Sequence, residues 1–350
     1  MNEPPARTAD HPINVAMIAV PPNSASGLYG MRDVLNSVGI GWETYITGGS
    51  VAPRFQVYIV AASTEPFTCG SGALIEPDYD LETAPEPDVV IASGMFASAT
   101  ERISNVDPSV IEWIGAQYAK GTTVTSSCTG AILLAEAGLL DGKEATTHWA
   151  FRDLFRMLYP EVHLRLEQNL CCVAPDHRIV TSGGTTMWQE LALYLIARYI
   201  SVEQATRTAK FWLLPNRDRQ QSPYVAMPKG IPHQDSAIAA CQEWISENYN
   251  QPDPVSQMIA QSGLNTSTFR RRFLAATGFQ PIDYVQTVRI EEAKQLLETT
   301  MLSLAEVAEQ IGYEDTSYFG KLFKRRTGLS LSEHRRKFGV ERFQRYVDGG

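Results

Sequence analysis

The sequence predicts two fold classes in one chain: a doubly wound, mostly parallel α/β domain, then an all-α domain. Three observations predict them. Short apolar runs rich in β-branched residues alternate with helix-period segments over roughly the first 200 residues. A stretch with prolines at 215, 223, 228 and 232 then interrupts all periodicity. Everything after it reads as helix, with Gly or Pro only at turns. Strands alternating with helices imply a parallel sheet covered on both faces, and 350 residues are enough for two domains.

Taken in order, INVAMIAV (13–20) reads as a buried strand and residues 28–38 as a helix. VYIVAAS (57–63) and DVVIAS (88–93) are further strands, the latter ending at Gly94. Residues 108–120 are helical, with Val110, Ile111, Ile114 and Tyr118 on one face. A strand at 122–126, a helix at 131–137, a strand at 178–184 and a helix at 188–199 complete the domain, placed at 13–214. The proline-rich stretch 215–235 reads as a linker, because proline removes a backbone donor and blocks regular structure. The helical domain occupies 236–340.

Composition bounds the function. The chain is 44% hydrophobic and 20% charged, as a globular protein is. No apolar run reaches the roughly 18 residues of a membrane helix, and MNEPPARTADHP has no apolar signal core. A cytoplasmic location without membrane contact is the expectation. The cysteines, at 69, 128, 171, 172 and 241, are odd in number, so free thiols are expected. Cys171 and Cys172 are adjacent and lack a second ligand pair, so neither a zinc site nor another cofactor is expected. The net charge of −9 belongs to the first part, where residues 1–235 hold 16 Lys and Arg against 25 Asp and Glu. Residues 236–350 hold 14 of each, with cations clustered at Arg270-Arg271-Arg272, Lys324-Arg325-Arg326 and Arg335-Arg336-Lys337. Such clusters attract phosphate even in a neutral domain, or simply form solvated helix faces.

The helical part repeats itself. Phe269, Phe273, Thr277 and Gly278 recur fifty positions later as Phe319, Phe323, Thr327 and Gly328. In each unit a short helix (255–262, then 304–311) ends at Gly263 or Gly312, residues able to take a left-handed turn. A polar cap, Asn265 or Ser267 and then Asp315, starts a second helix. The paired phenylalanines pin that helix to the core and leave its basic face outward, a shape that fits the major groove. A helix near 282–298 joins the units. GYEDTSYFGKLFKRRTGLSLSEHRRKF (312–338) resembles the signature of the AraC/XylS family of regulators, over about the last hundred residues. The resemblance implies two helix-turn-helix motifs binding double-stranded DNA, with base-reading residues at Ser267, Arg270 and Arg271 and at Thr316, Ser317 and Lys321. It also implies contact with RNA polymerase if the protein activates. Ile259 departs from the family, which often has a small residue there.

In the first domain TTVTSSCTGAILLAEAGLLDG (122–142) reads as strand, sharp turn, helix, with Cys128 at the turn and Thr129-Gly130 after it. Such an elbow lifts one side chain over the sheet edge and aims N–H groups beside it, which acidifies a thiol and holds an oxyanion. His148 follows in ATTHW. The arrangement is similar to the class I glutamine amidotransferase-like fold, flavodoxin-like in layout, in its PfpI-type branch, over roughly residues 13–200. The resemblance carries the nucleophile and base onto Cys128 and His148, beside Thr129 and Gly94. The chain departs from that pattern at Ser126, Ile132 and Ala150, where amidotransferases have Gly, Gln and the triad acid. The loop 21–29 also lacks the glutamate of the peptidase-like relatives, Asp33 being the first acid. Two readings follow: a sensor of a small metabolite on an enzyme fold, or an active Cys-dependent amidase or hydrolase fused to a DNA-binding domain. Known fusions of these two domains resemble regulators of amino-acid or quaternary-amine catabolism, which implies an amine or amino-acid derivative as effector and a homodimer. Trp149 and Tyr29 are candidate walls for a cation, or plain core.

Overall fold

A computed structural model of the chain describes residues 11–49, 51–184, 186–215 and 233–340. The stretch 215–235 expected as a linker lies almost wholly outside the described residues. The chain divides into two compact units, with the division after residue 221.

The first unit is built on a seven-stranded sheet. In chain order its strands are β1 (Ile13–Ile18), β2 (Phe55–Ala61), β5 (Tyr79–Asp80), β6 (Val89–Ala92), β7 (Thr123–Ser127), β10 (Leu170–Cys172) and β11 (Ile179–Ser182). Two small pairs, β3 (Phe67–Thr68) with β4 (Leu74–Ile75) and β8 (Glu144–Ala145) with β9 (His163–Leu164), lie outside it. The spatial order is β10-β11-β7-β6-β1-β2-β5. Every neighbouring pair is parallel except β10 with β11. The order reverses between β1 and β6, so a crevice opens at their carboxyl ends, the place where open α/β sheets hold ligands.

Alternation along the strands feeds two cores. Ala16, Ile18, Val60, Val90, Ala92 and Val124 face one way, toward α2 (Pro108–Ala119), α3 (Ala131–Glu136) and α4 (Arg152–Leu158). Val15, Met17, Ile59, Val89, Ile91 and Val180 face α1 (Ala25–Asn36), α5 (Trp188–Tyr199) and α6 (Val202–Phe211). Strands buried on both faces are why these segments read as continuous apolar runs rather than as alternation. Each fully buried aliphatic side chain contributes about 1.5–3 kcal/mol relative to exposure.

The second unit is all helix: α7 (Ser236–Asn248), α8 (Pro254–Ser262), α9 (Thr266–Thr277), α10 (Pro281–Thr299), α11 (Leu304–Gln310), α12 (Thr316–Thr327) and α13 (Leu331–Phe338). Its two cores repeat. Phe269 and Phe273 sit with Ile238, Ile245, Met258 and Val285, whereas Phe319 and Phe323 sit with Ile290, Leu297, Val307 and Ile311. Helix α10 supplies Val285 to the first core and Ile290 and Leu297 to the second, so it fastens the two halves together. Ile259, the departure from the family pattern, packs half-buried against the first core. Gly263, Gly278, Gly312 and Gly328 all adopt positive φ, as the repeat requires.

The elbow is a tight turn. Cys128 takes φ +55, unusual for a residue with a side chain. A Cβ added to Gly130 would lie 2.0 Å from the Ala92 carbonyl oxygen, a backbone atom. Gly130→Ala therefore forces apart the turn and β6. It is expected to destabilise the chain by about 1–3 kcal/mol or more, read as a shift in the denaturant midpoint; an unchanged midpoint would contradict this packing.

Candidate functional site

Strand β7 delivers Cys128 to the carboxyl edge of the sheet, and the turn Cys128–Gly130 leads straight into α3. What holds the turn in its strained conformation is a set of side-chain bonds to backbone. The N–H of Met95 donates to Thr129 Oγ1 at 2.7 Å, and the same hydroxyl donates to the Met95 carbonyl at 2.5 Å. The N–H of Gly94 donates to Ser127 Oγ at 3.2 Å. Thr147 donates to the Cys128 carbonyl at 2.9 Å. Buried Asn23 donates to the Gly94 carbonyl at 3.1 Å and accepts from the Val20 N–H at 2.6 Å, joining the loop after β1 to the loop after β6. Gly94 sits close to the elbow, since a Cβ there would stand 3.2 Å from that of Cys128.

These loops enclose a cavity of about 220 Å³ at the crevice between β1 and β6. Gly94, Cys128, Thr129 and His148, the residues named from sequence, all line it. So do Met95, Phe96, Ala97 and Phe151, which sequence reasoning missed; they lie in irregular segments without periodicity to read. The aromatic walls are therefore Phe96 and Phe151. Trp149 lies against the His148 ring in a tilted arrangement with centroids 5.1 Å apart, and Tyr29 packs on the core beneath α1. A second hollow, of about 340 Å³ beside Arg152 and Arg156, contains none of the residues named from sequence.

Cys128 is 9% exposed, so little of the thiol reaches solvent. His148 is the N-cap of a short 3₁₀ turn (Trp149–Phe151), and its Nδ1 accepts the Ala150 N–H at 3.2 Å. A nitrogen that accepts carries no hydrogen, so in the neutral ring the hydrogen sits on Nε2. Burial holds this imidazole below the ordinary histidine pKa of 6.5, which keeps it neutral at pH 7. The residue expected from the fold as a general base thus has its lone pair engaged by backbone and offers an N–H instead.

The second unit presents its candidates differently. The N-caps are Asn265, accepting from the Thr268 N–H at 2.9 Å, and Asp315, accepting from Ser317 and Tyr318 at 2.8 and 3.0 Å. With Phe269, Phe273, Phe319 and Phe323 at 0% exposure, the opposite faces are turned outward. Ser267, Arg270 and Arg271 are exposed on α9; Ser317 and Lys321 are exposed on α12, with Thr316 half-buried at its start. Tyr318, 52% exposed beside Ser317, was not singled out from sequence. Two arginines of the basic clusters are engaged internally. Arg272 makes a two-pronged bond to Asp235 at 2.8 and 2.7 Å, and Arg326 bonds Asp283 at 2.6 Å. Among the described residues there is no cluster of side chains suited to a metal ion, and no helix long and apolar enough to cross a membrane.

Comparison with known proteins agrees with both halves. A helix-turn-helix domain model matches residues 258–337, and a DJ-1/PfpI family model matches residues 42–198. The HTH-type transcriptional regulator CdhR of Pseudomonas aeruginosa is 28% identical over 289 residues, covering 81% of this chain and 82% of that protein. The HTH-type transcriptional regulator GbdR of Pseudomonas aeruginosa is 24% identical over 265 residues, covering 75% and 70%. Isonitrile hydratase of Pseudomonas putida is 33% identical over 153 residues, covering 44% of this chain and 63% of that enzyme.

The His148 environment makes a pH prediction. The unfolded imidazole binds a proton near 6.5 and the folded one only at lower pH, so folding is opposed as pH falls through that window. The stability that neutral His148 contributes is present above pH 6.5 and lost on acidification. Denaturant midpoints measured from neutral to acidic pH should fall less steeply for His148→Gln than for the unsubstituted protein. Equal slopes would contradict the assignment.

Proposed function

We propose that the first unit, which matches a DJ-1/PfpI family model and shares its chain with a match to a helix-turn-helix domain model, senses a small molecule beside Cys128 without transforming it. The second unit binds DNA, and occupancy of the first changes how it does so. The observation that carries the sensor reading is the spent chemistry of the elbow. A nucleophilic thiol needs a base held in position and donors for an oxyanion. Here the Gly94 and Met95 N–H groups are already bonded to Ser127 and Thr129. The lone pair of His148 is bonded to Ala150. A histidine in the wrong tautomer costs about 10⁴ in rate in the serine-protease triad.

Cytoplasmic location, a homodimer formed through the first unit and contact with RNA polymerase if the protein activates belong to the same proposal. A second reading, a Cys-dependent hydrolase or hydratase fused to the DNA-binding unit, is favoured by the left-handed Cys128 and by the similarity to isonitrile hydratase. The readings separate in one experiment. For a sensor, Cys128→Ser leaves effector-dependent transcription largely intact and Cys128→Trp, which fills the cavity, abolishes it. Turnover of an amide, ester or isonitrile by purified protein, lost in Cys128→Ser, would establish the enzyme instead.

For DNA we assign base reading to Ser267, Arg270 and Arg271 on α9 and to Thr316, Ser317 and Lys321 on α12. The two helices are expected to enter major-groove faces about 34 Å apart, one helical turn. Arg271→Ala should weaken specific binding by about 1–3 kcal/mol if the guanidinium reads a guanine. An equal loss on unrelated duplex in a gel-shift titration would make Arg271 a phosphate contact.

A further inference from the structure

The lining of the cavity beside Cys128 says more about its ligand than that it is small. The walls are Met95, Phe96, Ala97 and Phe151, and the polar side-chain groups among the described lining residues are hydroxyls, one thiol and one neutral imidazole, with no charged side chain. An ion entering such walls gives up hydration that these groups do not replace. The hydroxyl of Thr129 is used twice at Met95, and Ser127 Oγ accepts from Gly94. His148 brings the contrasting element: with Nδ1 bonded to the Ala150 N–H, its Nε2 is a donor. Size is set by volume. An apolar cavity of about 150 Å³ holds benzene, so one of about 220 Å³ holds a ring with a small substituent, or an open-chain molecule of that bulk.

We infer that this cavity takes an uncharged molecule somewhat larger than benzene, whose hydrogen-bond acceptor meets the Nε2–H of His148. The inference deepens the sensor reading and rests on it for any consequence at DNA. It replaces the amine or amino-acid derivative implied by the resemblance with a neutral acceptor such as an amide, ketone or nitrile.

Four probes of matched shape and equal heavy-atom number test it on the full chain at neutral pH: benzamide, benzoate, protonated benzamidine and cumene. Titration calorimetry should show benzamide binding at least about tenfold more tightly than either ion, a difference of about 1.4 kcal/mol. Benzamide should also be preferred over cumene. That second preference should disappear in His148→Leu and survive in His148→Gln, which keeps an N–H donor, while Cys128→Trp removes binding of all four. Benzoate or benzamidine binding as tightly as benzamide overturns the inference. So does His148→Leu that keeps the preference over cumene, or no binding by benzamide up to its solubility. Benzamide binding that leaves the DNA affinity of the full chain unchanged supports the ligand class and overturns the sensor reading, so the two failures are distinguishable.

Discussion

The two hydrogen bonds between Thr129 and the backbone of Met95 tie the loop after β6 to the loop after β7, and the geometry of the first unit's site depends on them. Beside that tie, Cys128 is held at φ +55. Leaving the Met95 N–H and carbonyl without partners in a buried loop would cost about 1–3 kcal/mol for each group, enough to hold a residue in strained backbone. The same bonds shape the cavity. They bring Met95, Phe96 and Ala97 over the elbow as its wall.

Most of the scaffold was legible in the sequence because its signals are local. The helix Trp188–Tyr199 follows from apolar spacing alone, and the buried parallel strands from short β-branched runs. Helix α6 (Val202–Phe211) was missed because it follows α5 after only two residues, and its capping Ser201 is the main signal of a new start. The antiparallel strand β10 was missed because Leu170–Cys172 is too short to show a period. At the site, Cys128 and Thr129 were named from the elbow pattern, and His148 and Gly94 from the resemblance of that pattern to the PfpI-type branch. The ring orientation of His148 was not legible, since it turns on a bond to Ala150 formed only once His148 caps a turn. The lack of an acid at Ala150 pointed to a poor base; the fold adds that the lone pair is occupied.

In the second unit the repeated residues turn out to do repeated work. Thr277 donates to the Phe273 carbonyl at 2.7 Å and accepts from the Phe279 N–H at 3.1 Å; Thr327 does the same with Phe323 and Leu329 at 2.9 and 3.2 Å. Each Thr-Gly pair thus closes a helix whose other face carries the exposed cations. Sequence alone could not tell which of those cations are held in ion pairs within the unit. Arg270 and Arg271 face solvent, but the adjacent Arg272 is held by Asp235, the N-cap of α7. That division depends on long-range partners 37 and 43 residues away, which no local pattern encodes.

The role of His148 turns on which ring nitrogen carries the hydrogen. Nitrogen-15 NMR of the labelled full chain, with His148 assigned through His148→Gln, reads the tautomer directly. A one-bond coupling to hydrogen at Nε2 and an unprotonated Nδ1 at neutral pH is the predicted result. A hydrogen on Nδ1, with the Nε2 lone pair available to Cys128, would contradict it.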